Sequence, residues 1–134
     1  MPVIVEPRYD VADLETDLAR VYADFPGRSP EDCLAAIRAT LRDGGVFYTG
    51  TFNGKQVAGA VVSGPADARR IQLVAVRAAT RGRGVAVRLI DEIGRLEKLT
   101  GARELTIAAE GDAVAVLTRL GFAPVSPGLL RKPL

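Results

Sequence analysis

Hydrophobic positions along this chain change their spacing several times, and each change marks a new element. Apolar residues recur every three or four positions in some stretches, which is the spacing of amphipathic helices. Other stretches are short and rich in β-branched and aromatic residues, which is typical of strands. The pattern predicts the order β-α-α-β-β-β-α-β-α with a possible C-terminal strand: strands at 3–5, 46–52, 56–63, 71–76 and 104–109, and helices at 14–25, 30–42, 85–99 and 112–120.

Local signals at the ends of these segments support the assignment. Ser29 before Pro30 is a strong helix start, with a capping residue followed by proline at the first helical position. Asn53-Gly54 between two strands predicts a type I′ hairpin. The connections are short, and the chain has no internal repeat and no linker composition. We therefore expect residues 1–134 to form one α/β or α+β domain with a mixed sheet.

Composition narrows the classes of function. The chain has 134 residues, of which 48% are hydrophobic and 25% charged, and a net charge of +2, so we expect no nucleic-acid partner. No apolar run approaches the roughly 18 residues of a membrane span, and residues 1–6 do not resemble a signal peptide. We therefore expect a cytoplasmic protein with no membrane partner.

The absence of histidine and the presence of a single cysteine exclude several kinds of catalytic and metal site. The chain has no histidine, which excludes Ser-His-Asp and Cys-His mechanisms and histidine metal ligands. Cys33 is the single cysteine, so internal disulfides and thiolate zinc clusters are excluded as well. Cys33 lies in an apolar helical stretch, where we expect a small core residue. We expect no metal.

One segment combines features of an anion-binding site. Residues 81–86 (the Arg-Gly loop) read Arg-Gly-Arg-Gly-Val-Ala and lie between an apolar strand and an amphipathic helix. Glycine has no Cβ and lets the backbone approach a ligand, while the helix start offers unpaired N–H groups and the positive end of its dipole. An ordinary turn or a solvated basic face are the alternatives. Six arginines occur nearby, a density that suits phosphate recognition: Arg69, Arg70, Arg77, Arg81, Arg83 and Arg88.

Two common phosphate-binding motifs do not fit this loop. A dinucleotide-binding fingerprint needs a glycine or alanine where Val87 stands, and an acid at the end of the next strand, where Ala109 precedes Glu110. A P-loop needs Gly-Lys followed by Ser or Thr, and the chain has none. Kinase and GTPase functions are therefore not expected.

The loop resembles instead the acyl-CoA loop of the GNAT acetyltransferase superfamily, whose pattern is Arg/Gln-x-x-Gly-x-Gly/Ala. The predicted strand before the loop and the predicted helix after it match the order of elements in that family. A short helix ending in Leu120-Gly121-Phe122 is also common there. The resemblance covers about residues 46–122. It implies a mixed, mostly antiparallel central sheet that splays at the acyl-CoA site and is flanked by helices.

The resemblance also implies an activity and a binding site. The activity is that of an N-acetyltransferase, which uses acetyl-CoA as co-substrate and needs no metal. The pyrophosphate would accept hydrogen bonds from the loop, the pantetheine arm would lie beside the strand at 71–76, and a backbone N–H near Val74 or Ala75 would stabilise the oxyanion. The implied contacts are Val74, Ala75, Val76, Arg81, Gly82, Arg83, Gly84, Val85, Ala86 and Val87.

The catalytic groups follow less directly from the pattern. Many family members have a tyrosine as general acid four residues before the Gly-Phe pair, and this chain has Leu117 there. Water can protonate a thiolate in its place. Glu110 is the candidate catalytic base, with Asp112 beside it, and both could instead stabilise the start of the last helix. Three tyrosines lie on apolar stripes and are expected in the core: Tyr9, Tyr22 and Tyr48.

A narrower resemblance suggests a second function. Residues 76–85, 47–53 and 22–26 are similar to segments of the PanZ-type maturation factors of aspartate decarboxylase, which are GNAT-like acetyl-CoA sensors. Such a sensor binds a partner enzyme when acetyl-CoA is present and does not consume it. The partner is thus an amine acceptor or a partner enzyme, and the chain is a monomer or a homodimer. Acids on the first two helices could form an ordinary exposed face or could favour a cationic acceptor: Asp13, Glu15, Asp17, Asp24, Glu31 and Asp32.

Overall fold

Seven strands and four helices occur in residues 2–134, which are the residues that the computed structural model describes. Two short 3₁₀ turns, Ala12–Leu14 and Ala78–Thr80, lie between them. None of the helices in these residues is long and apolar enough to cross a membrane. In chain order the elements are β1 (Ile4–Arg8), α1 (Glu15–Val21), α2 (Pro30–Arg42), β2 (Val46–Phe52), β3 (Lys55–Ser63), β4 (Ala68–Val76), α3 (Val85–Leu99), β5 (Glu104–Ala108), α4 (Asp112–Arg119), β6 (Ala123–Ser126) and β7 (Leu129–Pro133).

The strands form one mixed sheet in the order β1-β2-β3-β4-β5-β7-β6. Neighbouring strands are antiparallel except β4 and β5, which are parallel. The parallel pairing runs from Ala68 opposite Glu104 to Ile71 opposite Ile107 and then stops, although β4 continues to Val76. The two central strands therefore diverge, which confirms the predicted mixed sheet with a splayed centre.

Local signals account for the first half of the fold. The hydroxyl oxygen of Ser29 accepts a hydrogen bond from the Asp32 backbone N–H at 3.1 Å, and Pro30 opens α2 as predicted. Asn53 and Gly54 both have positive φ, 51° and 76°, as a type I′ hairpin requires. Asp10 accepts a hydrogen bond from the Ala12 N–H at 2.9 Å, just before the 3₁₀ turn whose N-cap is Val11.

Helices cover both faces of the sheet because β2 and β3 alternate apolar side chains. Phe47 and Val61 point to α1 and α2, while their neighbours Tyr48 and Val62 point to α3 and α4. Cys33 is completely buried on the α1–α2 side, as expected of a core residue. Burial of apolar surface stabilises the fold by about 25 cal/mol per Å², so the packing of both helix layers stabilises the sheet.

β1 extends to Arg8 rather than to residue 5, α1 ends at Val21 rather than at residue 25, and two further segments also differ from the predicted elements. β4 begins at Ala68, three residues before the predicted strand at 71–76, because residues 68–70 already pair with residues 104–106 of β5. The C-terminal tail, for which one strand was considered, forms the hairpin of β6 and β7, and β7 pairs with β5. This hairpin completes the sheet beyond the point of divergence.

Candidate functional site

The Arg-Gly loop joins the end of β4 to the start of α3 and leaves an open hollow at its backbone. Gly82 and Gly84 have φ of +76° and +74°, values that residues with a side chain rarely adopt. A Cβ placed on either glycine would meet no atom within 4 Å, so the space in front of the loop is empty. Gly84 is the N-cap of α3, which has no acidic residue in its first turn. The N–H groups and the positive dipole end are thus unopposed.

A β-bulge interrupts β4 just before this loop. Gln72 lies opposite Val61 and Ala75 opposite Gly59, so Leu73 and Val74 together face one residue of β3. Leu73 has a φ of +54°, a conformation that costs about 1–3 kcal/mol for a residue with a side chain. The bulge removes backbone groups of β4 from the ladder at the splayed centre of the sheet.

The hydroxyl of Tyr22 holds the bulge in place. It donates a hydrogen bond to the Leu73 carbonyl oxygen at 2.7 Å, from a completely buried position. Burial raises the pKa of Tyr22 well above its usual range, so the phenol stays protonated and remains a donor. Tyr22 was expected to be a core residue, and it is one that also supports the site. The sequence gives no signal for this contact, which joins residues 51 positions apart.

Two adjoining hollows lie where the central strands diverge. The larger (the cleft) has a volume of about 750 Å³ and lies between β4, β5, α2, α3 and α4. The smaller (the loop groove) has about 440 Å³ and follows the end of β4 to the Arg-Gly loop. Phe25, Val74, Ala86 and Val87 line both, so the two form one continuous channel. Nine of the ten residues implied as acetyl-CoA contacts line the loop groove, and Arg83 is the exception: Val74, Ala75, Val76, Arg81, Gly82, Gly84, Val85, Ala86 and Val87.

A family model described as the acetyltransferase (GNAT) domain PanZ matches residues 7–125 of the chain. The chain belongs to the PanZ family of GNAT domains. No curated protein matches it.

Solved structures of other GNAT proteins share this PanZ-family fold. A GNAT family acetyltransferase from Elizabethkingia anophelis, with acetyl-CoA bound, superposes with a TM-score of 0.74 at 14% identity, over 98% of each chain. The ribosomal-protein-S18-alanine N-acetyltransferase from Escherichia coli gives 0.75 at 16% identity, over 97% of this chain and 94% of that one. A GNAT family acetyltransferase from Brucella melitensis in complex with acetyl-CoA gives 0.72 at 14%, over 98% and 88%.

Leu117 stands where the resemblance to GNAT proteins implies a tyrosine as general acid. It is 3% exposed and lines the cleft from α4. Neither Tyr48 nor Tyr9 lines the cleft as an alternative proton donor. Tyr48 is buried on the α3 side of the sheet, and Tyr9 is 73% exposed rather than in the core, against expectation. This PanZ-family cleft therefore has an apolar wall at that point.

Glu110 is not among the residues that line the cleft, although Ala109 before it is. Its carboxylate is next to Gly128 in the β6–β7 turn, 3.4 Å from where a Cβ on that glycine would stand. Glu110 does not cap α4, because Gly111 is the N-cap and no side chain forms a capping hydrogen bond there. Asp112 lies in the first turn of that helix.

Acids of the first two helices are engaged elsewhere. Asp13 pairs with Arg8 at 2.6 Å, Asp17 with Arg20 at 3.8 Å, and Glu15 with Arg38. None of these residues lines the cleft, and neither Glu31 nor Asp32 does. These acids of α1 and α2 therefore add no negative charge to the cleft, which fits the alternative of an exposed acidic face.

Proposed function

We propose that this PanZ-family domain binds acetyl-CoA along the loop groove and transfers the acetyl group to an amine acceptor in the cleft. The observation that carries the proposal is the open backbone at Gly82 and Gly84, placed at the unopposed N-terminus of α3. A pyrophosphate suits such a site, because backbone N–H groups point at the anion and the helix dipole favours it. The acetyl-CoA named for the structures from E. anophelis and B. melitensis supports the same ligand here.

The contacts of acetyl-CoA would follow the channel. The N–H groups of residues 82–87 would hold the pyrophosphate, since that of Arg81 donates to the Ala78 carbonyl oxygen, and exposed Arg83 would add positive charge. The pantetheine arm would lie beside residues 74–76, where β4 has no partner from β5. The thioester would then reach the bulge at Leu73 and Val74. A backbone N–H there, freed from the ladder, would donate to the carbonyl oxygen as negative charge develops on it.

Acetyl-CoA supplies an activated acetyl group, and the residues of the cleft would orient the acceptor toward it. A C–N bond forms as the C–S bond breaks, and CoA leaves as a thiolate. The attacking ammonium must lose a proton, for which Glu110 is our candidate base. Water would protonate the thiolate, since Leu117 cannot, and a thiol pKa of about 8.5 makes this feasible. No metal is part of the proposal.

A second candidate is a regulatory acetyl-CoA sensor that binds a partner enzyme, and the buried leucine at position 117 favours it. A sensor needs the loop groove but no proton donor. The family description fits both candidates. The cytoplasmic location and the monomeric or homodimeric state stay predictions.

One experiment separates these candidates. Calorimetry should first give acetyl-CoA binding, and loss of that binding would reject both. A panel of amines, amino acids and polyamines is then offered with acetyl-CoA while free CoA is measured, and product masses identify the acceptor. Release of CoA that depends on one acceptor supports the transferase. Binding without release, together with capture of aspartate decarboxylase only when acetyl-CoA is present, supports the sensor.

A further inference from the structure

Two arginines without an acidic partner in the described residues line the cleft. Arg28 comes from the turn before α2, and Arg70 comes from β4. Neither takes part in an ion pair or donates a side-chain hydrogen bond within residues 2–134, whereas Arg8, Arg38 and Arg81 each have a carboxylate. Two guanidiniums that lack counter-charges at one cavity are suited to an anionic group.

The strand pattern places Arg70 on the cleft side of the sheet. Ile71, its neighbour, is buried against the α3 layer, so Arg70 and Gln72 point to the α2 layer. Val61, opposite Gln72 in the β3 register, belongs to that same α1–α2 cluster. Arg28 belongs to the same layer, so both guanidiniums approach the cavity from the α1–α2 side of β4.

The adjacent arginine shows the contrast. Arg69 points to the other face of the sheet, where its Nε donates to the Glu97 carboxylate at 2.8 Å and its side chain is largely buried. The charge of Arg69 is thus compensated within the protein. Arg70 is exposed to the cavity and has no such partner.

The rest of the lining is apolar or neutral. Within the described residues no aspartate or glutamate lines the cleft. Gln72 and Thr40 are the uncharged polar residues there, and the Thr40 hydroxyl donates to the Ala36 carbonyl. The apolar walls come from both helix layers and the central strands: Val61, Ile71, Ile90, Ile107, Val116 and Leu117.

From this arrangement we infer that the cleft binds a small amine that carries a carboxylate on an apolar body, that is, an amino acid or an ω-amino acid. Arg70 and Arg28 bind the carboxylate, and Gln72 can donate its amide N–H to it. The apolar walls contact the body, and the amine lies toward the bulge at Leu73 and Val74. This inference names the acceptor class of the proposed function and rests on it.

Equilibrium binding tests this inference whether the domain is a transferase or a sensor. The protein is saturated with CoA and titrated with N-acetyl-leucine and N-acetyl-6-aminohexanoate, each compared with its carboxamide. Charge-assisted hydrogen bonds should make at least one carboxylate bind about tenfold or more tightly than its amide. That preference should disappear in Arg70→Gln and weaken in Arg28→Gln.

Arg42→Gln is the matched control, because Arg42 is exposed at the end of α2 and does not line the cleft. It should keep the full preference. Equal binding of each acid and its amide by the wild type overturns the inference, as does a preference that survives in Arg70→Gln. The affinity for acetyl-CoA itself is measured in the same proteins. If acetyl-CoA does not bind, the proposed function fails first and the inference with it; if it binds normally without a carboxylate preference, the inference alone fails.

Discussion

The guanidinium of Arg81 forms a two-point ion pair with the carboxylate of Asp24, a residue 57 positions earlier in the chain. Arg81 Nη1 lies 2.6 Å from Asp24 Oδ2, the second pair joins Nη2 and Oδ1, and Arg81 Nε donates to the Val76 carbonyl oxygen at 3.0 Å. The first residue of the Arg-Gly loop thus ties the loop to the segment between α1 and α2. Its guanidinium is engaged with the protein, so Arg83 is the cation of the loop that is left for the phosphates.

Replacing Asp24 with asparagine should loosen both segments that the ion pair joins. We expect faster amide hydrogen exchange in residues 22–28 and 80–84 of Asp24→Asn, measured by mass spectrometry. Asp17→Asn is the control, since Asp17 also forms an exposed ion pair in α1, with Arg20 at 3.8 Å. Equal exchange in Asp24→Asn and wild type would show that the pair does not restrain the loop.

The same ion pair has a predictable pH dependence. The hydrogen bonds from Arg81 lower the pKa of Asp24 below its ordinary value of about 3.9. A carboxylate with a lowered pKa in the folded state stabilises it fully above the ordinary pKa, and the effect is lost as the pH falls through the lowered value. The protection of residues 22–28, taken relative to the intrinsic exchange rate at each pH, should therefore be constant between pH 6 and 8 and should fall below about pH 4.

Alanine at Gly84 should weaken acetyl-CoA binding. The added Cβ would occupy the hollow where the pyrophosphate is proposed, and no protein atom lies within 4 Å of it. The positive φ of 74° adds strain of about 1–2 kcal/mol. We expect the Kd from calorimetry to rise at least about tenfold, as expected when charge-assisted hydrogen bonds are lost.

Gly54→Ala separates strain from contact, because Gly54 has nearly the same φ of 76° and lies in the remote β2–β3 hairpin. Both variants should lose similar thermal stability, and only Gly84→Ala should lose affinity. Unchanged affinity in a folded Gly84→Ala would reject the pyrophosphate position.

Features that depend on neighbouring residues could be predicted from the sequence, and features that depend on distant residues could not. The hairpin at Asn53-Gly54, the helix start at Ser29 and the hollow at Gly84 depend on a few neighbouring residues, and the sequence pattern identified all three. The bulge at Leu73 could not be predicted, because its conformation depends on a hydroxyl 51 residues away.

The polar groups of the cleft could not be predicted from the sequence for the same reason. Arg70 was counted only as one of six arginines near the Arg-Gly loop, since the predicted strand began at position 71. Once β4 extends to Ala68, strand alternation separates Arg69 from Arg70 and places them on opposite faces. Only the tertiary arrangement then brings Arg28 to the same cavity.

Tyrosine at position 117 should reveal whether proton supply limits acetyl transfer. Leu117 lines the cleft, so the cavity has room for a larger ring. For a transferase, we expect Leu117→Tyr to raise kcat at least about tenfold, because the phenol can protonate the leaving thiolate. Leu117→Phe is the control for ring size and should not raise it. If neither variant releases CoA faster with an accepted amine, the thiolate does not depend on this position.

Glu110 stays our candidate base, and its removal has a clear kinetic consequence. Glu110→Gln should lower kcat at least about tenfold at pH 7, since general bases contribute that much or more. Asp112→Asn, two residues on in the first turn of α4, should leave kcat near the wild-type value. An unchanged rate in Glu110→Gln would assign this carboxylate to the β6–β7 turn, where it lies beside Gly128.

Stability should depend strongly on Glu97, far from the cleft. Its carboxylate accepts from the Tyr48 hydroxyl and from Arg69 Nε, and its side chain is 4% exposed. Glu97→Ala would leave the mostly buried guanidinium of Arg69 without a counter-charge, so the free energy of unfolding in urea should fall by about 3–5 kcal/mol. Glu15→Ala breaks an exposed ion pair with Arg38 and should cost about 0–1 kcal/mol. A similar small loss in both variants would show that Arg69 gains enough from the carbonyl oxygens of Gly64 and Val62, to which it also donates.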